Sequence, residues 1–152
     1  MARIGIITCS NMTGNMACSS FRCLEDSHAG KGTFTSYTER GGAQIVGIIS
    51  CSGCPTLMAP EKIVRRVRTL VASGVDAIHF SNCLEILCPF KQKYKSILQA
   101  EFPEIEFVSG THEPHSKAGG EAVGRFVRES LCHGQATIAD LLESKIVRER
   151  DQ

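Results

Sequence analysis

The chain is expected to fold as an α/β three-layer sandwich around an open parallel sheet of about four to five strands, flavodoxin-like or Rossmann-like in arrangement. Three observations lead there. Four short runs rich in Ile, Val and Phe alternate with segments of helical period. The runs are almost continuously apolar, as strands covered on both faces must be, whereas half-exposed strands alternate. A chain of 152 residues is the size of one domain and can bury roughly 70% of its unfolded surface. A single domain over residues 1–152 is therefore the economical expectation.

The first run, RIGIITC (Arg3–Cys9), reads as the opening strand. Between Ser10 and Gly42 one helix is expected near Met12–Leu24, followed by a loop and extended stretch, GKGTFTSYTERGG. The second run is AQIVGIISC (Ala43–Cys51). Pro60 then opens a helix on which Ile63, Val64, Val67, Leu70 and Val71 recur at helical spacing, and Gly74 closes it. The third run, DAIHFSNC (Asp76–Cys83), completes a βαβ unit with a right-handed crossover. A further helix starts near Pro89, carries Phe90, Tyr94, Ile97 and Leu98, and must stop before Pro103, because a residue preceding proline avoids helical geometry. IEFVSGTH (Ile105–His112) is the fourth run. Two more helices are expected within 119–150, at Glu121–Leu131 and Thr137–Arg148, the latter opened by Thr137 with Asp140 in the capping-box position.

Charge excludes some partners. Seventeen basic residues against sixteen acidic ones leave no electrostatic footprint for nucleic acid or an anionic membrane. RRVR (Arg65–Arg68) and KQKYK (Lys91–Lys95) fall on helical segments and read as solvated faces. No apolar stretch has spanning length, so a membrane role is not expected. The N-terminal MARIGIITCS lacks the pattern of a secretory leader. A reducing, cytoplasmic setting is inferred, in which clustered cysteines bind metal or do thiol chemistry more often than they form structural bridges.

Eight cysteines are a surplus that the core does not need. In a parallel sheet all strands point one way, so the residues just after them gather at one edge, which is where ligands bind in open α/β folds. Cys9 follows the first strand, Cys51 and Cys54 the second, Cys83 and Cys88 the third, and His112 with His115 the fourth. With strand order 2-1-3-4 one ion is within reach of the first three strand ends. The inner ligand group is then Cys9, Cys51, Cys54 and Cys83, with Cys88 and His112 next. His115 reads as a loop histidine and His79, inside a strand, as a core residue. Cys18 and Cys23, five apart on the expected first helix, point about 140° apart. His28, Cys132 and His133 are expected outside the cluster.

Soft thiolate donors favour zinc, copper(I) or an iron–sulfur cluster over magnesium or calcium. Zinc is the first expectation and an iron–sulfur cluster the alternative. Thiol–disulfide chemistry by Cys51 and Cys54 competes with metal binding, although Pro60 places the next helix too late to lower their thiol pKa. A metal carrier or sensor acting through a partner is a third possibility, and an unidentified small molecule a further candidate partner. CSNMTGNMA (Cys9–Ala17) has the look of an anion-binding loop in which Ser10, Thr13 and Asn15 would hold an FMN phosphate or another anion. The flavin reading lacks the usual aromatic pair. A phosphatase loop fails because Asn15 stands where its arginine would be.

CSGCP preceded by IVGIIS, followed by DAIHFSNCLEILCPF and GTHE, and with GTF at Gly32–Phe34, resembles the CGGC-domain proteins. The resemblance runs from about residue 3 to 113. It implies a cysteine-rich α/β domain with a metal site, zinc first, and no settled reaction. The chain departs from the pattern at Ser52, which replaces a glycine, and at Thr56, where the family often has another glycine. A positive φ at Ser52 would be uncomfortable for a residue with a side chain.

Overall fold

The computed structural model describes residues 1–14, 16–54 and 56–112, which belong to a compact unit running from Met1 to Glu113. Asn15, His115, Cys132, His133 and the helices expected within 119–150 lie outside the described residues, and with them the expectation of one domain over 1–152. In chain order the elements are β1 (Ala2–Thr8), α1 (Ser10–Gly14), α2 (Phe21–His28), a 3-10 helix (Gly32–Arg40) and β2 (Ala43–Ser50). They continue with α3 (Ala59–Ala72), β3 (Ala77–Phe80), α4 (Asn82–Leu87), α5 (Lys91–Glu101) and β4 (Glu106–Ser109). The four strands form one all-parallel sheet in the order β2-β1-β3-β4, with helices on both faces.

Side-chain alternation assigns the two faces. Ile4 and Ile6 of β1 pack with Ala77, Cys23 of α2, and Phe34 and Tyr37 of the 3-10 helix. The intervening residues of β1 turn to the opposite face, where Gly5 lies against Leu70 of α3, as the period of two requires. Gly5 and Gly47 are register partners on adjacent strands. A Cβ on Gly5 would lie 2.8 Å from Leu70 Cδ1, and one on Gly47 2.9 Å from Leu70 Cδ2. The missing side chains thus form a seat that lets α3 settle onto the sheet. On β3 the same alternation sends His79 towards the 3-10 helix, while Phe80 lies under the Lys95 ammonium of α5. Ile63, Val67, Ile78, Leu84 and Leu98 are fully enclosed, each contributing about 1.5–3 kcal/mol of burial.

Three local expectations are corrected. The helix expected at Met12–Leu24 is two helices, because Ala17 and Ser20 take left-handed φ values of 53° and 58° and break the chain between them. The stretch 30–42 is not extended but a 3-10 helix. Its hydroxyls bond back along the turn, Thr35 Oγ1 to Gly32 O at 2.9 Å and Ser36 Oγ to Thr33 O at 3.1 Å, and glycines with positive φ flank it. Helix α4 was not anticipated, since six residues are too few to display a period. Helix α5 begins at Lys91, two residues after Pro89, and ends before Pro103 as expected. Tyr94 and Leu98 are buried on it, whereas Phe90 is half-exposed at its start.

Candidate metal centre

The β1–β2 ladder continues past the strands: Cys51 N–H donates to Thr8 O at 2.8 Å. Thr8 is the register partner of Ser50, so the next residues, Cys9 and Cys51, stand side by side. Both follow the parity of Gly5 and Gly47 and therefore belong to the α3/α5 side of the sheet edge. Both residues are buried, and the titration of each thiol is tied first to the other. Cys51 Sγ also receives the Ser10 N–H at 3.4 Å and lies 3.5 Å from Ser10 Oγ.

These contacts give the two sulfurs opposite characters. The Cys9 hydrogen bond is the largest influence on Cys51 and pulls its thiol well below the usual range; burial opposes this, and donors from Ser10 and the Gly53 backbone assist it. Cys9 is pushed up, first by its bond to Cys51 and then by burial, against the Met12 and Asn11 amides. Loss of a proton is thus favoured at Cys51 and disfavoured at Cys9.

Arg66 of α3 holds the turn that follows. Its Nη1 donates to Ser50 O at 2.8 Å, to Ser50 Oγ at 3.2 Å and, more closely, to Cys51 O. Ser52 Oγ donates to Ala59 O at 2.7 Å, closing the loop onto the start of α3. The positive φ of the motif falls on Gly53 (92°) and not on Ser52, so the serine is accommodated and supplies a clasp.

Cys54 is half-buried and lines a cleft of about 310 Å³ with Leu57, Met58, Phe90, Lys93 and Tyr94. Cys88 closes α4 and is buried. Burial pushes its thiol up to about 11, the Phe90 amide lowers it, and charge on Cys54 and Cys51 raises it further. Tyr94 is pushed up to about 12, first by burial and then by Cys88, Cys54 and Cys51. Cys9, Cys51, Cys54 and Cys88 are thus electrostatic neighbours at one end of the α3/α5 face.

The other expected ligands are placed differently. Cys83 Sγ is 3.0 Å from Ser81 Oγ, and its charge bears on Cys23, as does that of Cys18. Cys23 itself is raised chiefly by burial and lies 3.4 Å from Thr111 Oγ1 on the α2 side. Cys18 is not on a helix with Cys23 but in the turn before α2. The His112 carbonyl accepts from Asn82 Nδ2. Ser10 is committed to Cys51, and Thr13 Oγ1 donates to Cys9 O at 3.3 Å and lies 3.5 Å from Ser10 O, so both hydroxyls of the expected anion loop have partners within the chain. Among the described residues no three His, Cys, Asp or Glu side chains stand as a ready-made cage for an ion.

The sequence model of the CGGC domain matches residues 3–112. The chain belongs to the CGGC-domain family. That family is cysteine-rich, which suggests a metal-binding role. No curated protein and no solved structure matches the chain.

The CGGC blocks outside the cysteines have a common purpose here. His79 is fully enclosed, its Nδ1 2.9 Å from Gly110 O and its Nε2 2.9 Å from the Tyr37 hydroxyl. A carbonyl can only accept, so Nδ1 carries the proton and Nε2 accepts from Tyr37. Phe34 stacks on the ring at 4.7 Å, and Thr33 Oγ1 donates to Gly110 O and Thr111 O, each at 3.0 Å. Gly110 has φ 94°, and a Cβ there would meet Asn82 Oδ1 at 3.0 Å. GTF, the strand histidine and the glycine of GTH therefore form one clasp. It fastens the 3-10 helix to the ends of β3 and β4 in this CGGC domain, and burial keeps its imidazole neutral by lowering its pKa.

Proposed function

We propose that this CGGC domain binds a metal ion at the carboxyl edge of its sheet, zinc first and a cysteine-bound iron–sulfur cluster as the alternative. Cys9 and Cys51 are the central ligands, with Cys54 and Cys88 completing the set and Cys83 and His112 as outer candidates. The observation that carries this reading is the in-register pair of buried thiols, Cys9 and Cys51, at the end of the β1–β2 ladder. Metal displaces thiol protons, and the Ser10 N–H already directed at the Cys51 sulfur favours its thiolate form. The donor chemistry fits soft metals, because sulfur dominates the strand ends. A bound zinc supplies structural closure when all four positions are protein sulfurs, and Lewis acidity when one is open.

A disulfide role for Cys51 and Cys54 in the manner of helix-start redox pairs has less support, because α3 begins at Ala59 and its dipole falls off before Cys54. Reduced ligands of this kind fit a cytoplasmic setting, and among the described residues no helix is long and apolar enough to cross a membrane. Elemental analysis and visible absorption of protein purified without oxygen test the reading. About one equivalent of zinc, or several of iron with charge-transfer bands, is expected. Metal-free protein that takes up neither ion on titration would overturn it.

A further inference from the structure

We propose that Cys9 and Cys51 form a cross-strand dithiol that exchanges with small aliphatic disulfides, so that the stable bond is Cys9–Cys51 and not the Cys51–Cys54 bond suggested by the motif spacing. Four observations carry it. The two residues are opposite one another on adjacent parallel strands, one step beyond the Thr8–Ser50 register pair. Neighbouring strands lie about 4.8 Å apart, within the Cα separation of about 4.4–6.8 Å that a disulfide bridges without backbone movement. Both side chains lie on the α3/α5 side of the sheet edge, by the parity of Gly5 and Gly47, and both are buried there. Ser10 N–H and Oγ hold the Cys51 sulfur on the β1 side of its own chain.

Cys54 lines the neighbouring cleft. Gly53 at φ 92° and the Ser52–Ala59 hydrogen bond turn the loop towards α3, and Cys54 becomes part of the cleft wall. That cleft has apolar sides in Leu57, Met58 and Phe90 and an ammonium in Lys93, a lining suited to a small disulfide that bears a carboxylate. Cys9 and Cys51 are buried whereas Cys54 is half-exposed, so Cys54 receives the incoming molecule.

The steps balance. The Cys54 thiolate attacks the small disulfide, its S–S bond breaks, and one small thiolate leaves. Cys51 attacks the Cys54 sulfur of the mixed disulfide and expels the second small thiolate. Cys9 then attacks the Cys51 sulfur and returns Cys54 as a thiolate. Two electrons pass from the Cys9 and Cys51 thiols to the small disulfide, and their two protons end on the two released thiols.

The inference uses the same sulfurs as the metal reading but requires no metal. The test treats the full chain, reduced and stripped with a chelator, with excess oxidised glutathione to equilibrium, blocks free thiols and digests with trypsin. Cleavage after Arg3, Arg22, Arg40 and Lys62 puts Cys9 with Cys18 on the peptide 4–22 and Cys51 with Cys54 on the peptide 41–62, and fragment spectra assign the linked sulfur in each. The expected product is these two peptides joined through Cys9 and Cys51, with Cys18 and Cys54 blocked; a link through Cys18 would overturn the inference. An internal Cys51–Cys54 loop in peptide 41–62, or eight blocked thiols and no bridge, would overturn the inference. Cys54→Ser is expected to slow closure at least about tenfold while giving the same bridge, and failure of that variant to form it at equilibrium would equally count against the pair. Metal analysis of the same batch before chelation keeps the readings apart. A closed bridge in a batch that never held metal supports this inference and removes the metal one; a zinc-loaded batch that fails to close after stripping does the reverse.

Discussion

Two buried titratable pairs occupy the same sheet edge on opposite faces, and they are finished to different degrees. On the α2 side, His79 and Tyr37 have their ring nitrogens and hydroxyl matched by strong partners, with Phe34 stacked over the imidazole. On the α3 side, Cys9 and Cys51 have each other, Ser10, and the weak hydrogen bonds of sulfur at 3.4–3.5 Å. A saturated pair in low dielectric is rigid and inert, because every change leaves a buried group unpaired. A pair of buried, polarizable sulfurs beside a half-exposed third thiol keeps bonding capacity in reserve. Burial alone does not mark a functional group; unused coordination does.

The largest expected break in this contrast is in metal content. Cys51→Ser or Cys54→Ser should drop bound metal from about one equivalent to near none by elemental analysis, whereas Cys132→Ser leaves it unchanged. Equal loss in all three would assign the cysteines to folding. Next, His79→Ala should cost about 3 kcal/mol in urea unfolding, from an opened cavity and two orphaned partners, while the folded fraction still takes up metal. Metal loss without destabilisation would reverse the roles of the two faces. Arg66→Met, which frees the Ser50 and Cys51 carbonyls, should weaken metal affinity about tenfold in competition with a chromophoric chelator. An unchanged affinity would remove Arg66 from the support of the site.

The smallest effects are in pH dependence. The folded state holds His79 neutral, so the unfolded chain binds the extra proton, and stability should decline as pH falls below about 6.5, by at most about 1.4 kcal/mol per unit. His79→Gln should flatten that part of the profile. In metal-free protein, thiolate absorbance near 240 nm should show one thiolate present at neutral pH that protonates as pH falls towards about 5. Cys9→Ala should move that titration upward, since the main donor to Cys51 is gone. A profile unaltered by Cys9→Ala would dissolve the pair.

Much of this was legible along the chain. The apolar runs placed all four strands within a few residues, because doubly covered strands need continuous apolar sequence. The 2-1-3-4 order used to set the inner ligands is the order of the sheet. Pro60 marked the start of α3, and His79 was recognised as a core residue from its place in a strand. The break at Ala17 and Ser20 was not legible, since neither residue is a usual left-handed one. The supporting role of Arg66 was hidden as well, because a basic residue on a helix face looks the same whether it meets solvent or the end of a neighbouring strand.

By itself the sequence determined the fold class, the strand ends at which cysteines accumulate, and the family, all of which depend on local period and composition. Only the tertiary structure decided which thiols are partners. It set Cys9 beside Cys51, turned Cys54 to the cleft, and placed Cys83 electrostatically with Cys23. The reason is that pairing at a sheet edge depends on register and on the face each side chain takes. A one-residue change in either exchanges neighbours without altering the spacing of cysteines along the chain.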